Sequence, residues 1–260
     1  MFTEMHPDLD LDTAYDVLRR GLQAKLDAGK GLVGAKRGLT RKAKQRVMHV
    51  DAPLYGFLSS SMLHRYGEPV EVDSLVHPRV EPEIACVMAR DVQAPGAVTS
   101  LLAATEAVFA VIATLDSRDD ACRFTVPDVV ADNASTGLLL TGARAVDPVD
   151  VGDLGPLGRA LRVDGEVEDA ATGAAERGHA AASVAHQLGA RGQQVEAGWL
   201  TYPGGLTEPV PLKPGQDVTQ GSRGWDRSRS RAGDPACVSM RRGRAAVACR
   251  LGQRDPLTAQ

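Results

Sequence analysis

The run Val80-Glu-Pro-Glu-Ile-Ala-Cys-Val-Met88 constrains this chain more than any other segment. Its apolar and β-branched residues read as a strand, in which successive side chains alternate between faces, so Glu81 and Glu83 point the same way. Two acids on one face of an apolar strand either meet solvent or hold something positive. As hard oxygen donors, they suit a divalent ion such as Mg²⁺ or Mn²⁺. A solvated strand face is the commoner setting for an isolated Glu-x-Glu. Here the pair is accompanied by Lys36 in a glycine-rich segment upstream and by Asp132-Asn133-Ala134-Ser135 downstream.

A chain of 260 residues can bury a sizeable core and reads as a single main domain. The formal net charge of −3 and an aromatic content of 4% argue against a nucleic-acid surface. The four cysteines, Cys86, Cys122, Cys237 and Cys249, show no Cys-x-x-Cys spacing, so neither a zinc knuckle nor a disulfide framework is expected. The longest apolar stretch, residues 107–115, falls short of the roughly 20 residues that a membrane span needs. No signal-like segment opens the sequence. These features predict a cytoplasmic protein with neither nucleic acid nor membrane as partner.

Residues 10–26 carry Ala14, Val17, Leu18 and Leu22 at helical spacing, with Asp10 or Asp12 as the cap. The segment Gly34-Ala-Lys36-Arg-Gly38-Leu-Thr40 reads as a loop whose glycines let the backbone approach a ligand or turn sharply. Residues 51–58 read as a turn and a short strand. Residues 70–76 and 80–88 read as paired strands about the His77-Pro78 corner. A second helix, capped by Thr99, is expected over residues 101–113, apolar nearly all round and so crossing the core. Residues 124–130 and 138–141 read as strands on either side of the polar turn at Asp132 to Ser135. A further strand is expected over 160–163 and a third helix over 181–188. Many short strands with a few helices predict an α+β fold.

Several of these segments together resemble the hydratase and decarboxylase branch of the fumarylacetoacetate hydrolase superfamily. The resemblance is carried in order by Leu32-Val-Gly-Ala-Lys-Arg-Gly-Leu-Thr40, Pro53-Leu-Tyr-Gly-Phe-Leu58, His77-Pro-Arg-Val-Glu-Pro-Glu-Ile84, Asp116-Ser-Arg118, Val129-Val-Ala-Asp-Asn-Ala-Ser135 and Gly204-Gly-Leu-Thr207. It implies a strand-dominated mixed β-sheet roll with a few helices. It also implies an enzyme of aromatic-compound catabolism acting on small 2-oxo acids. The segments at residues 53–58 and 204–211 follow the decarboxylase pattern, implying metal-dependent decarboxylation of 2-oxo-3-hexenedioate. Hydration of 2-oxopent-4-enoate is the alternative.

By the same resemblance Glu81 and Glu83 hold Mg²⁺ or Mn²⁺, and Lys36 meets the substrate oxyanion or moves a proton. Ser135 lies beside the substrate. Asp51 orients the lysine, approaches the substrate or merely caps its turn. Thr207 reaches a substrate carboxylate, and Arg79 either pairs with a distal carboxylate or is an ordinary strand arginine. His77 and His179 are expected to be structural. A homo-oligomer, with the pathway hydratase as a further partner, is implied as well.

Three departures from the family pattern accompany the match. Ala113 stands where a third metal carboxylate is expected, which motivates the contrasting reading of a non-catalytic assembly subunit. The N-terminal helical portion is short. Residues 1–220 are expected to form the catalytic domain and 221–260 a disordered arginine-rich tail. One GC-rich coding of residues 220–230, read in another frame, gives a family-like ending, so an out-of-frame translation is expected for the tail, with a genuine basic tail that binds acidic partners as the rival reading.

Overall fold

β-Branched and aromatic runs broken by glycine and proline become twelve strands among the described residues of the computed structural model. Those residues are 1–40, 45, 53–64, 68–93, 103–119, 123–142, 144–151, 158–172, 180–202, 204–205, 207–223 and 236–239. One mixed sheet runs in the order β2 (Leu54–Ser59), β1 (Leu32–Gly38), β9 (Leu200–Tyr202), β4 (Pro78–Met88), β5 (Thr105–Asp116), β6 (Thr136–Thr141) and β3 (Leu63–His64). A further strand, β10 (Val210–Pro211), also pairs with β4. Within this sheet β1 lies parallel to β9 and β3 parallel to β6. A second, antiparallel sheet contains β12 (Ala236–Ser239), β11 (Asp217–Arg223), β7 (Gly158–Val163) and β8 (Glu166–Thr172). Other residues of the expected tail, and the histidine at 179, lie outside the described residues.

Five helices flank the sheets among the described residues: α1 (Phe2–Met5), α2 (Leu11–Asp27), α3 (Val126–Ala131), α4 (Pro148–Val151) and α5 (Ala180–Gly189). Asp10 caps α2 by accepting the amide of Thr13 at 2.8 Å, as its position before the apolar stripe predicts. The stripe buries Ala14, Tyr15 and Leu18 against Ala35, Tyr55, Phe57, Ile84 and Cys86. Elsewhere the same face of β4 carries Val80, which packs with Ile112, Leu140, Leu161 and Val163 between the two sheets. The opposite face of the large sheet gathers Leu58, Ala85, Val111, Ala113, Leu139 and Tyr202. It is this second face that carries Glu81 and Glu83.

Four local expectations are corrected. Residues 105–116 form a strand, not the end of a helix: β5 is covered on both faces, and a doubly buried strand is apolar all round for that reason. Residues 126–131 form a helix despite three valines, because Thr125 and Asp128 make a capping box with proline in the first turn. Residues 72–74 form a single 3₁₀ turn, and β4 pairs with β5, β9 and β10 instead. Lys36 sits within β1, between β2 and β9, not in a loop. Gly34, with φ of 158° beside a register shift in the β1–β2 ladder, is paired on both edges with Leu58 and Leu200, and Gly38 is paired with Leu54 of β2.

Candidate active site

The edge of β4 is shared between two short strands. β9 pairs with it at Cys86 and Val87, and β10 at Arg79 and Val80. Between them the chain leaves the ladder and passes beside Glu81 and Glu83. The amide of Gly204 donates to Glu83 Oε2 at 3.2 Å. At Gly205 a Cβ would fall 1.8 Å from Glu81 Oε2, so only glycine lets the backbone come this close to the carboxylate. Both acids are buried, Glu83 completely. On the strand's far side, Gln220 Nε2 from β11 donates to the main-chain oxygen of Glu83 at 3.1 Å, fixing the backbone that presents the acid.

Lys36 faces the same side of the sheet. In the ladders it stands beside Tyr202 on β9 and Gly56 on β2, and the β9 to β4 register puts residues 200 and 202 on the face of Glu83 and Ala85. Its side chain is 3% exposed. Burial holds the ammonium below its ordinary value, with Arg118 acting in the same direction, while Glu83, Glu81 and Asp132 oppose. The cluster thus unites one buried cation with two buried carboxylates. Isolated ions in such a place would each cost several kcal/mol, roughly, and mutual attraction offsets part of this.

The turn at Asp132 to Ser135 abuts this cluster through Gly56, the ladder partner of Lys36. A Cβ there would meet the carbonyl oxygen of Asn133 at 2.7 Å. Asn133 in turn brackets β2, accepting the amide of Phe57 at 2.8 Å and donating to its carbonyl at 2.9 Å. Residues Asn133, Ala134 and Ser135 all have left-handed backbone, with φ of 53°, 53° and 49°. Three such non-glycine residues in succession carry strain that the surrounding contacts must hold. Ser135 Oγ donates to Asp132 Oδ2 at 3.2 Å. Asp132 also forms an ion pair with Arg118, whose Nη2 donates to the Asp132 carbonyl at 2.6 Å. Burial raises the Asp132 carboxyl, against the pull of Arg118 and Ser135.

Arg79 belongs to the Glu81 face of β4, and its Nη1 donates to the Pro209 carbonyl at 3.5 Å. Thr207 is buried after the Gly204-Gly205 pair, and its hydroxyl has no hydrogen-bond partner among the described residues. Asp51 lies outside the described residues. His77 is structural in its contacts, with Nδ1 3.0 Å from the Ser117 carbonyl oxygen.

Ala113 lies directly across from Glu81, while Asp116 has the opposite parity on β5 and points to the other face. Asp116 instead accepts the amides of Val76 and His77 at 2.8 and 2.7 Å, holding the corner before β4. No group of three or more His, Cys, Asp or Glu side chains placed to hold a metal ion occurs among the described residues. Glu81, Glu83 and Lys36 sum to one negative charge in a buried place, and this oxygen-rich donor set fits a hard divalent ion. Two features of the site had little local signal in the sequence. Tyr202, two residues before Gly204, could have been found by extending the strand alternation from Leu200. The Arg118 to Asp132 pairing joins two quoted motifs that no local spacing connects.

No family model matches the chain. A 4-oxalocrotonate decarboxylase from Pseudomonas sp. (strain CF600) is 38% identical over 224 residues, covering 84% of this chain and 83% of that protein. The chain belongs to the family of 4-oxalocrotonate decarboxylases and dienoate hydratases. A hydratase member, the 2-hydroxyhexa-2,4-dienoate hydratase of Comamonas testosteroni, is 34% identical over 82% of this chain and 83% of its own. Among solved members, the 4-oxalocrotonate decarboxylase of Pseudomonas putida G7 complexed with magnesium and adipate superimposes with a TM-score of 0.81. It is 35% identical and covers 85% of this chain and 86% of its own. The fold is thereby that of fumarylacetoacetate hydrolase-like proteins. No helix among the described residues is long and apolar enough to cross a membrane.

Proposed function

We propose that this chain is a metal-dependent decarboxylase of 2-oxo-3-hexenedioate, also called 4-oxalocrotonate, and a carboxy-lyase of aromatic-compound catabolism. The observation that carries the reading is the meeting of Glu81, Glu83 and Lys36 on one buried face where the chain leaves the edge of β4. Loss of the distal carboxylate as CO₂ leaves an electron pair that spreads through the conjugated carbons to the 2-oxo oxygen as a dienolate. A divalent ion held by Glu81 and Glu83 supplies Lewis-acid stabilisation for that oxygen when bound.

Lys36, whose ammonium is held below its ordinary value by burial, donates a hydrogen bond to the oxygen and passes it a proton, giving the dienol product. Ser135 and Thr207 offer short hydroxyls to the 1-carboxylate. Arg79, on the Glu81 face at the far end of β4, is suited to the distal carboxylate, and Asp51 keeps its proposed role of orienting the lysine. The apolar wall of Ala85, Val111 and Leu139 keeps water from the dienolate. Residues 1–220 are read as the catalytic domain and the protein as a homo-oligomer, with the pathway hydratase as a candidate partner.

The test is direct: the purified protein with Mg²⁺ is given 2-oxo-3-hexenedioate, and CO₂ release and loss of substrate absorbance are followed. Absence of both refutes the reading. The similarity to dienoate hydratases favours a second reading, hydration of 2-oxopent-4-enoate, assayed in parallel on the same preparation.

A further inference from the structure

Among the described residues, Tyr202 is the one tyrosine on the sheet face of the candidate site. It is fully buried, and its hydroxyl has no hydrogen-bond partner among the described residues. Ladder geometry puts it beside Lys36, on the sheet face of Glu83 and Ala85. Its ring packs in the cluster that contains Ala85, Val111, Ala113 and Leu139. A phenol is protonated at neutral pH and so offers a donor. Phenylalanine would fill the same space without burying a hydroxyl. A buried donor without a partner costs its desolvation, so the hydroxyl lowers the stability of the ligand-free fold unless something it meets later accepts its proton.

We infer that the Tyr202 hydroxyl is a substrate-binding donor, aimed at an oxygen of the 2-oxo carboxylate group that occupies the space between Lys36 and the two glutamates. This rests on the reading of that space as a metal and 2-oxo acid site. The acceptor it fits is anionic and planar, an oxygen of a carboxylate or of the adjoining oxo group. Glu83 is not that acceptor in the geometry described, since the Tyr202 hydroxyl reaches no hydrogen-bond partner among the described residues. Tyr202 thus joins Lys36 as a second donor to the same end of the substrate, and the two sit side by side because β1 and β9 run parallel there.

The experiment compares the full-length wild type with Tyr202→Phe, using oxalate as probe. Three quantities are measured: thermal midpoint of the ligand-free protein, Mn²⁺ affinity by electron paramagnetic resonance, and oxalate affinity at saturating Mg²⁺ by calorimetry. The expected result is a midpoint equal to or above wild type, unchanged Mn²⁺ affinity, and oxalate binding about 10- to 100-fold weaker, the loss typical of one hydrogen bond to a charged acceptor. Unchanged oxalate affinity overturns the inference alone, as does a lowered midpoint, which would mean that the hydroxyl is satisfied in the free protein. Parallel losses of Mn²⁺ and oxalate binding also overturn it, by placing the hydroxyl on the metal side. A wild type that binds neither Mn²⁺ nor oxalate overturns the site reading and the inference together.

Discussion

Ala113 stands directly across from Glu81 in the ladder between β4 and β5, on the same face of the sheet. Side chains so paired have Cβ atoms about 4.5–5.5 Å apart. A carboxylate at this position would therefore lie within reach of any ion held by Glu81, whereas alanine offers no oxygen. The Ala113→Glu variant is expected to bind Mn²⁺ at least about 10-fold more tightly, since affinity for a hard cation rises with the number of charged oxygens. Turnover rising with it would mark the wild type as an enzyme with a weakened metal site. Unchanged metal affinity would show that the third carboxylate is not what limits binding, and inert protein that still associates would favour an assembly role.

Gly205 lies against the same acid. Since a Cβ there would fall 1.8 Å from Glu81 Oε2, Gly205→Ala must displace either the carboxylate or the backbone after β9. Overpacking of this kind costs about 1–3 kcal/mol. Loss of Mn²⁺ affinity by an order of magnitude or more is expected, with a modest fall in urea midpoint. A variant with wild-type metal affinity would place Glu81 outside the cation site.

Much of this arrangement was legible in the sequence, because period-two alternation is a local property: it put Glu81 and Glu83 on one face and separated Asp116 from Ala113 once β5 was known to be a strand. Burial on both sides hid β5 itself, since a helix and a doubly covered strand give the same apolar run over residues 107–115. The valines of α3 were misleading in the opposite direction, because side-chain capping by Thr125 and Asp128 outweighs β-propensity over so short a span. The strand setting of Lys36 was not legible in its glycine-flanked segment. Its strand is defined by pairing with β2 and with β9, the latter more than 160 residues away in sequence, and no local pattern reports that.

The charge of Lys36 opposes a second cation in the site. Replacing it with methionine keeps most of the volume and removes that repulsion, along with the proton donor. Lys36→Met is therefore expected to lose about 10²-fold or more in kcat while Mn²⁺ binding stays equal or tightens. Measuring turnover and metal affinity on one preparation separates the two effects. A parallel collapse of metal affinity would mean that the lysine holds the carboxylates in place instead of serving the substrate.

Asp128 offers a pH-dependent test remote from the glutamates. It accepts the Thr125 amide and hydroxyl at 2.8 and 2.7 Å, and the Thr3 amide and hydroxyl both at 2.8 Å, so one carboxylate caps α3 and ties the N-terminal segment to it. Burial raises its pKa, but the bonds from Thr125 and Thr3 outweigh that and hold it below 3.8. A carboxyl lowered on folding stabilises the folded state above its unfolded value, and this contribution disappears as pH falls through the folded one. Asp128→Ala is expected to cost about 1–2 kcal/mol at pH 7, the range of a lost cap. The gap between wild type and variant should be full at pH 7 and narrow as the pH is taken below about 4 toward the lowered folded value. Urea unfolding of both proteins at a series of pH values measures it, and a gap that does not narrow in acid would show that the negative charge of Asp128 contributes nothing to holding Thr3 and Thr125.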